Sequence, residues 1–221
     1  MKIITLTGSS ASGKDFLLNE ILKDNKGVKP VVSVTTRPKR DGEVDGVDYR
    51  FISIEEFLRL LSAKEMIEFR EYNTVEGVWY YGVSKDSIDV NSDDTYVVIL
   101  DVYGVIQLRN YLETMKSEDN NIEVHSIFVN CRGQERMLRS LHREANLNDY
   151  QVAELCRRYL DDLERVAAHR DSFDIILRNE TPEDLEQNKF IIKTLIENKK
   201  SKSKITGCSC SLLPRCTVCL P

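Results

Sequence analysis

The chain has 221 residues, 41% of them hydrophobic and 30% charged, which suits one sizeable buried core and excludes a disordered chain. No run approaches the roughly 18 apolar residues of a membrane span, and Met1-Lys2-Ile3-Ile4-Thr5 lacks the layout of a signal peptide, so no membrane contact and a cytoplasmic location are expected. The net charge of −5 divides into +5 on residues 199–221 and −10 on residues 1–198; so acidic a body excludes general nucleic-acid binding and leaves room only for a local phosphate site.

Ile3–Thr7 reads as a short buried strand. It runs into Gly8-Ser9-Ser10-Ala11-Ser12-Gly13-Lys14 and then into a helix over Lys14–Lys23 with an apolar stripe of Phe16, Leu17, Ile21 and Leu22. That order is the context of a phosphate loop. Small residues let backbone N–H groups turn onto phosphate oxygens, the helix N-terminus adds positive potential, and Lys14 supplies a point charge. Asp15 stands where a Ser or Thr hydroxyl normally joins a magnesium shell; a carboxylate is also a magnesium ligand, and equally a favourable charge at a helix N-terminus.

A second strand is predicted over Val31–Thr35, and residues 36–91 form an inserted lobe of short alternating patterns around a helix starting at Ser53-Ile54-Glu55-Glu56. The segment Ser33 to Tyr49 sets Arg37, Arg40, Tyr49 and Ser33 among turn residues, a local anion receptor in which the arginines fork onto a phosphate. Tyr96–Asp101 is the next strand, with Asp101 at the end where open α/β sheets present ligand-facing residues. A helix over Val105–Met115 and a strand over His125–Asn130 follow. Residues 132–158 are polar and carry Arg132, Arg136, Arg139, Arg143, Arg157 and Arg158, the composition of a mobile flap. The remaining elements are a helix over Asp149–His169, a strand over Asp174–Arg178 and a helix over Pro182–Asn198, started by Thr181, Pro182 and Asp184. The alternation predicts an α/β fold, a parallel sheet flanked by helices.

Cys131 and Cys156 make no disulfide framework, and His125, His142 and His169 show no metal spacing. Residues 199–221 form a basic tail expected to be disordered; its Cys208, Cys210, Cys216 and Cys219 offer one tetrahedral zinc as the alternative.

The phosphate loop, the Ser33–Tyr49 segment, Glu71-Tyr72, Gly77-Val78-Trp79-Tyr80-Tyr81-Gly82, Asp101-Val102-Tyr103-Gly104, the arginine-rich flap and Phe173-Asp174-Ile175-Ile176-Leu177-Arg178-Asn179 together resemble the guanylate kinase family over residues 1–198. The resemblance implies a P-loop NTPase-type core (1–35, 92–131 and 159–198), an NMP-binding lobe (36–91) and an arginine-rich lid (132–158). It implies magnesium-ATP-dependent phosphoryl transfer to GMP or dGMP. ATP would lie on Gly8, Ser9, Ser10, Ala11, Ser12, Gly13, Lys14 and Asp15, with Asn179 near the adenine. Arg37, Arg40, Tyr49 and Tyr81 would hold the acceptor phosphate, and Ser33 and Glu71 would read the guanine edge, with Glu68 competing for that role. Arg139, Arg143 and Arg158 would reach over ATP beside Lys14. Asp15 and Asp101 are the magnesium candidates, Asp101 alternatively organising the acceptor or serving only as a structural hydrogen-bonding group. Val83 departs from the hydroxyl the family often has there, and Tyr103 from its usual Gln. A kinase for another nucleoside monophosphate or a phosphorylated sugar is thus one alternative, and a non-catalytic protein-binding module another. The oligomeric state, monomer or homodimer, stays open.

Overall fold

The computed structural model describes residues 1–74, 76–116, 121–143, 147–169 and 172–198. Five strands, β1 (Lys2–Thr7), β2 (Val28–Pro30), β7 (Thr95–Ile99), β8 (Glu123–Asn130) and β9 (Ile175–Arg178), form an all-parallel sheet in the order β2-β7-β1-β8-β9. Parallel strands are covered on both faces, and successive residues serve opposite layers. Ile3 and Val98 join Val105, Leu108 and Leu112 of α3 (Val102–Met115) on one side. Ile4, Leu6 and Val97 join Leu17 and Ile21 of α1 (Lys14–Asp24) and Ile192 of α6 (Pro182–Glu197) on the other. The start of α6 closes as a capping box: Thr181 Oγ1 accepts from the Asp184 N–H, and Asp184 accepts from the Thr181 N–H.

The expected strand over Val31–Thr35 is divided between two sheets. Val31 N–H still donates to the Val97 carbonyl of the core, but Ser33 O accepts from Arg50 N–H, and Val34–Thr35 (β3) belongs to a second sheet. That sheet, in the order β4-β3-β6-β5, is completed by β4 (Arg50–Phe51), β5 (Met66–Thr74) and β6 (Gly77–Ser84). An apolar run marks burial, and burial is equally satisfied when the chain passes from one sheet to the next.

The helix of the lobe, α2 (Ile54–Ser62), begins where Ser53 accepts from the Glu56 N–H, and it lays Phe57 on Tyr80 with ring centroids 5.2 Å apart. A side-chain amide helps tie the edge strand β5 to the core. Gln107 of α3 accepts from the Phe69 N–H at 3.2 Å and donates to the Phe69 carbonyl at 2.9 Å, occupying backbone groups an edge strand would otherwise expose.

The flap predicted over 132–158 contains a helix, α4 (Gly133–Arg143), and the first turns of α5 (Asp149–His169). No helix among the described residues is long and apolar enough to cross a membrane. The four tail cysteines, with the rest of 199–221, lie outside the described residues.

Candidate active site

The loops after β1, β7, β8 and β9 all leave the same edge of the sheet, the edge where α/β sheets hold ligands. In the loop after β1, Gly13 has φ 89°, and a Cβ there would lie 2.4 Å from Asn179 Nδ2; at Gly8 a Cβ would lie 2.5 Å from the Val129 carbonyl oxygen. Only glycine fits either position. The loop therefore packs against the sheet and against Asn179, whose amide donates to Ser12 O at 2.9 Å.

The open side of the loop faces a cleft of about 260 Å³ between the core, the lobe and the lid. Gly8, Ser10, Ala11, Lys14 and Asp15 line it from the core, Arg40, Tyr49 and Tyr81 from the lobe, and Arg143 and Arg158 from α4 and α5. The loop carries an anion surrogate: Ser10 N–H donates to Asp162 Oδ2 of α5 at 2.7 Å, and Arg136 Nη1 holds the same oxygen at 3.2 Å. A carboxylate thus fills one of the positions that a phosphate oxygen takes in such a loop.

Positive charge converges on the far wall. Although exposed at the cleft mouth, Arg40 is pushed below its ordinary range by desolvation, then by the neighbouring charges of Arg37, Arg158 and Arg143. Cations that raise one another's free energy are relieved by an anion placed among them. Beside them Tyr49 and Tyr81 meet edge to face at 5.9 Å, and Tyr81 meets Tyr72 likewise at 5.4 Å. Arg158 Nε donates to Glu154 at 2.8 Å, and Arg157 donates to the same carboxylate at 2.8 and 2.9 Å, which holds the helix's arginines in place. Burial opposes the charge on Glu154, but these hydrogen bonds bring it down to about 2.

Several residues expected at the ligands are placed elsewhere. Arg37 is buried; it forks onto Glu43 and lies over the Tyr49 and Phe51 rings at 5.1 and 5.4 Å, bracing the loop that carries Arg40. Ser33 is buried outside the cleft lining. Arg139 donates to the carbonyls of Ser12, Asn179 and Glu180 at 3.4, 3.1 and 3.2 Å, so it and Asn179 hold the phosphate loop from behind. Ser9, Ser12 and Gly13 likewise lie outside the lining, and Ser9 and Ser12 are buried.

Glu71 requires a correction. Along β5 Glu68, Arg70 and Tyr72 share one face of the pleat and Glu71 takes the other, where it is exposed. Arg70 and Tyr72 line the cleft, and Glu68, 1% exposed, lies beneath Arg70. The two-residue period of Met66–Thr74 was the signal that separates these carboxylates. Val83 is buried in the core, and Ser84 donates to Asp86 at the next turn, so neither brings a hydroxyl to the cleft.

Of the magnesium candidates, Asp101 lines the cleft with both oxygens engaged: Oδ1 caps α3 by accepting from Gly104 N–H at 2.8 Å, and Oδ2 accepts from the Tyr72 hydroxyl at 2.7 Å. Asp15 also lines the cleft, with a carboxylate 72% exposed and 4.0 Å from Lys14 Nζ. Asp15 fits a hard cation beside a phosphate loop; Asp101 fits a structural cap.

A phosphate loop on the central strand of a parallel sheet, facing a cationic lobe and lid, defines a P-loop nucleotide-binding protein. A model of the family described as guanylate kinase matches residues 1–199, and the chain belongs to the guanylate kinase family. It is 30% identical to the guanylate kinase of Anaplasma phagocytophilum over 91% of this chain and 88% of that protein. It is 44% identical to that of Symbiobacterium thermophilum and 40% to that of Neisseria gonorrhoeae, over 45% and 50% of this chain. In these two the chain spans about half the length of the relative, 46% and 53%. The crystal structure of guanylate kinase from Anaplasma phagocytophilum matches the fold with a TM-score of 0.62 at 26% identity, covering 89% of this chain and 86% of that one.

Proposed function

We propose that this protein is a guanylate kinase, moving the γ-phosphoryl group of ATP onto GMP or dGMP to give ADP and GDP or dGDP. One observation carries the reading: the phosphate loop with Lys14 and the cationic wall of Arg40, Arg143 and Arg158 line the same cleft. Two phosphate sites facing each other are what an in-line transfer between two nucleotides requires.

ATP would lie on the loop N–H groups, displacing the Asp162 carboxylate from Ser10. The acceptor phosphate would sit on Arg40, Tyr49 and Tyr81. An oxygen of the acceptor phosphate bonds to the γ-phosphorus as the bond from that phosphorus to the β–γ bridging oxygen breaks, and ADP leaves with the electron pair. The attacking oxygen is already ionised, so no protein base is needed. Lys14, Arg143 and Arg158 neutralise the charge spread over the transferring group. Asp15 would hold magnesium directly or through water; bound there, the ion neutralises charge on the β- and γ-phosphates. The net charge of −10 on residues 1–198 and these substrates support a cytoplasmic location.

The test is magnesium-dependent ADP formation from ATP with GMP, dGMP, AMP, CMP, UMP and dTMP, against a Lys14→Ala control. Turnover confined to GMP and dGMP, falling by about a hundredfold or more in the control, is expected. Equal ADP formation with and without acceptor would sink the proposal.

A further inference from the structure

The anion resting on the phosphate loop is held by two donors, and only one of them belongs to the loop. Asp162 Oδ2 accepts from Ser10 N–H at 2.7 Å and from Arg136 Nη1 at 3.2 Å, so a single oxygen serves both. Arg136 is 5% exposed, and its Nη1 also donates to the Ser10 carbonyl at 3.4 Å. Its guanidinium sits over the Tyr159 ring of α5, 4.9 Å from the centroid. The ring holds the arginine in place without neutralising it, because a cation–π contact supplies attraction but no counter-charge. Ser10, Arg136, Arg143 and Arg158 line one small cavity of about 20 Å³, and Ser10, Arg143 and Arg158 line the cleft as well.

Resting on the guanylate kinase reading, we infer that Arg136 is a ligand of the ATP γ-phosphate: the phosphate oxygen that displaces Asp162 from Ser10 inherits both donors. Because one carboxylate oxygen accepts from Ser10 and from Arg136, moving it off the loop also breaks its bond to the arginine. A guanidinium buried to this degree is costly without an anion, and an incoming phosphate oxygen restores the pair as a charge-assisted hydrogen bond. The γ-phosphate is the group indicated, since Ser10 and Arg136 share their cavity with Arg143 and Arg158, whose charges are felt at Arg40 of the acceptor wall. Of the three phosphates, the one that reaches the acceptor is the one transferred. The set of lid arginines expected over ATP thus changes by one member. Arg139 is turned to the carbonyls of Ser12, Asn179 and Glu180 behind the loop, and Arg136 takes the anion side.

The experiment is calorimetric binding of magnesium-ATP and magnesium-ADP to the unmodified protein, to Asp162→Asn and to the Arg136→Met, Asp162→Asn double variant. The double variant removes both charges of the pair, so neither is left buried alone. Relative to Asp162→Asn, it is expected to bind ATP about tenfold more weakly and ADP within about twofold. ATP binding as tight as in Asp162→Asn would make Arg136 only the counter-ion of Asp162 and overturn the inference. Equal losses for ATP and ADP would move the arginine to an inner phosphate and overturn it as well. A crystal structure of the unmodified protein with magnesium and a β,γ-imido analogue of ATP reads the same contact with no substitution. Arg136 Nη1 within hydrogen-bond reach of a γ-phosphate oxygen is expected there, and Asp162 still seated on both Ser10 and Arg136 would sink the inference. Binding of ATP to the unmodified protein no tighter than to Lys14→Ala would instead overturn the kinase reading on which the inference rests.

Discussion

Tyr49 illustrates how one side chain is prepared for an anion. Burial first, then the charge of Asp15, push its phenol up to about 12, so at neutral pH the hydroxyl keeps its proton and can only help an anion by donating. Removing that donor in Tyr49→Phe is expected to raise KM for GMP about tenfold, the equivalent of ~1.5 kcal/mol for a hydrogen bond to a charged group, with kcat little changed. An unchanged KM would place the acceptor phosphate elsewhere. The tyrosine was legible in the chain because it sits among turn residues beside two arginines. The unequal fates of those arginines were not. Arg37 has Glu43 six residues away as a bidentate partner, whereas Arg40 has only its backbone N–H on that carboxylate. Spacing alone cannot say which guanidinium the acid will take.

Among the elements, α5 holds Arg157 and Arg158 toward the cleft through Glu154, with Asp161 3.8 Å from Arg157 as a second acid. Glu154 titrates near 2 instead of the ordinary 4.5, so its contribution to stability is fully present above the ordinary value and is lost as pH falls from about 4.5 toward 2. Glu154→Gln is expected to flatten that part of the stability curve, as read by chemical denaturation at a series of acidic pH values. Parallel curves for the two proteins would show that Arg157 and Arg158 find other partners. The boundaries of α5 and the cap of α6 were readable, since helix starts depend on neighbours three or four residues away. The division of Val31–Thr35 between two sheets was not, because pairing partners such as Val97 and Arg50 are distant in sequence.

Across the whole molecule, α5 meets the phosphate loop where Asp162 accepts from the Ser10 N–H at 2.7 Å. In the proposed reaction a triphosphate would displace that carboxylate, which links ATP binding to the position of the Asp162 side chain. Asp162→Asn removes the competing charge while keeping an acceptor, and magnesium-ATP affinity by calorimetry is expected to tighten about fivefold, or ~1 kcal/mol. Weaker binding would instead make Asp162 a strut that the loop needs.

The phosphate loop, the parallel α/β core and the capped helices could be read from the chain because each is written in a short contiguous stretch, where glycine conformations, caps and apolar periods act locally. Only the tertiary structure decided which charges reach the cleft. Arg139 turned to backbone carbonyls, Glu71 faced outward and Arg70 came to cover Glu68. A long charged side chain takes its position from partners supplied by distant elements, and those meet only when the sheet, lobe and lid have packed.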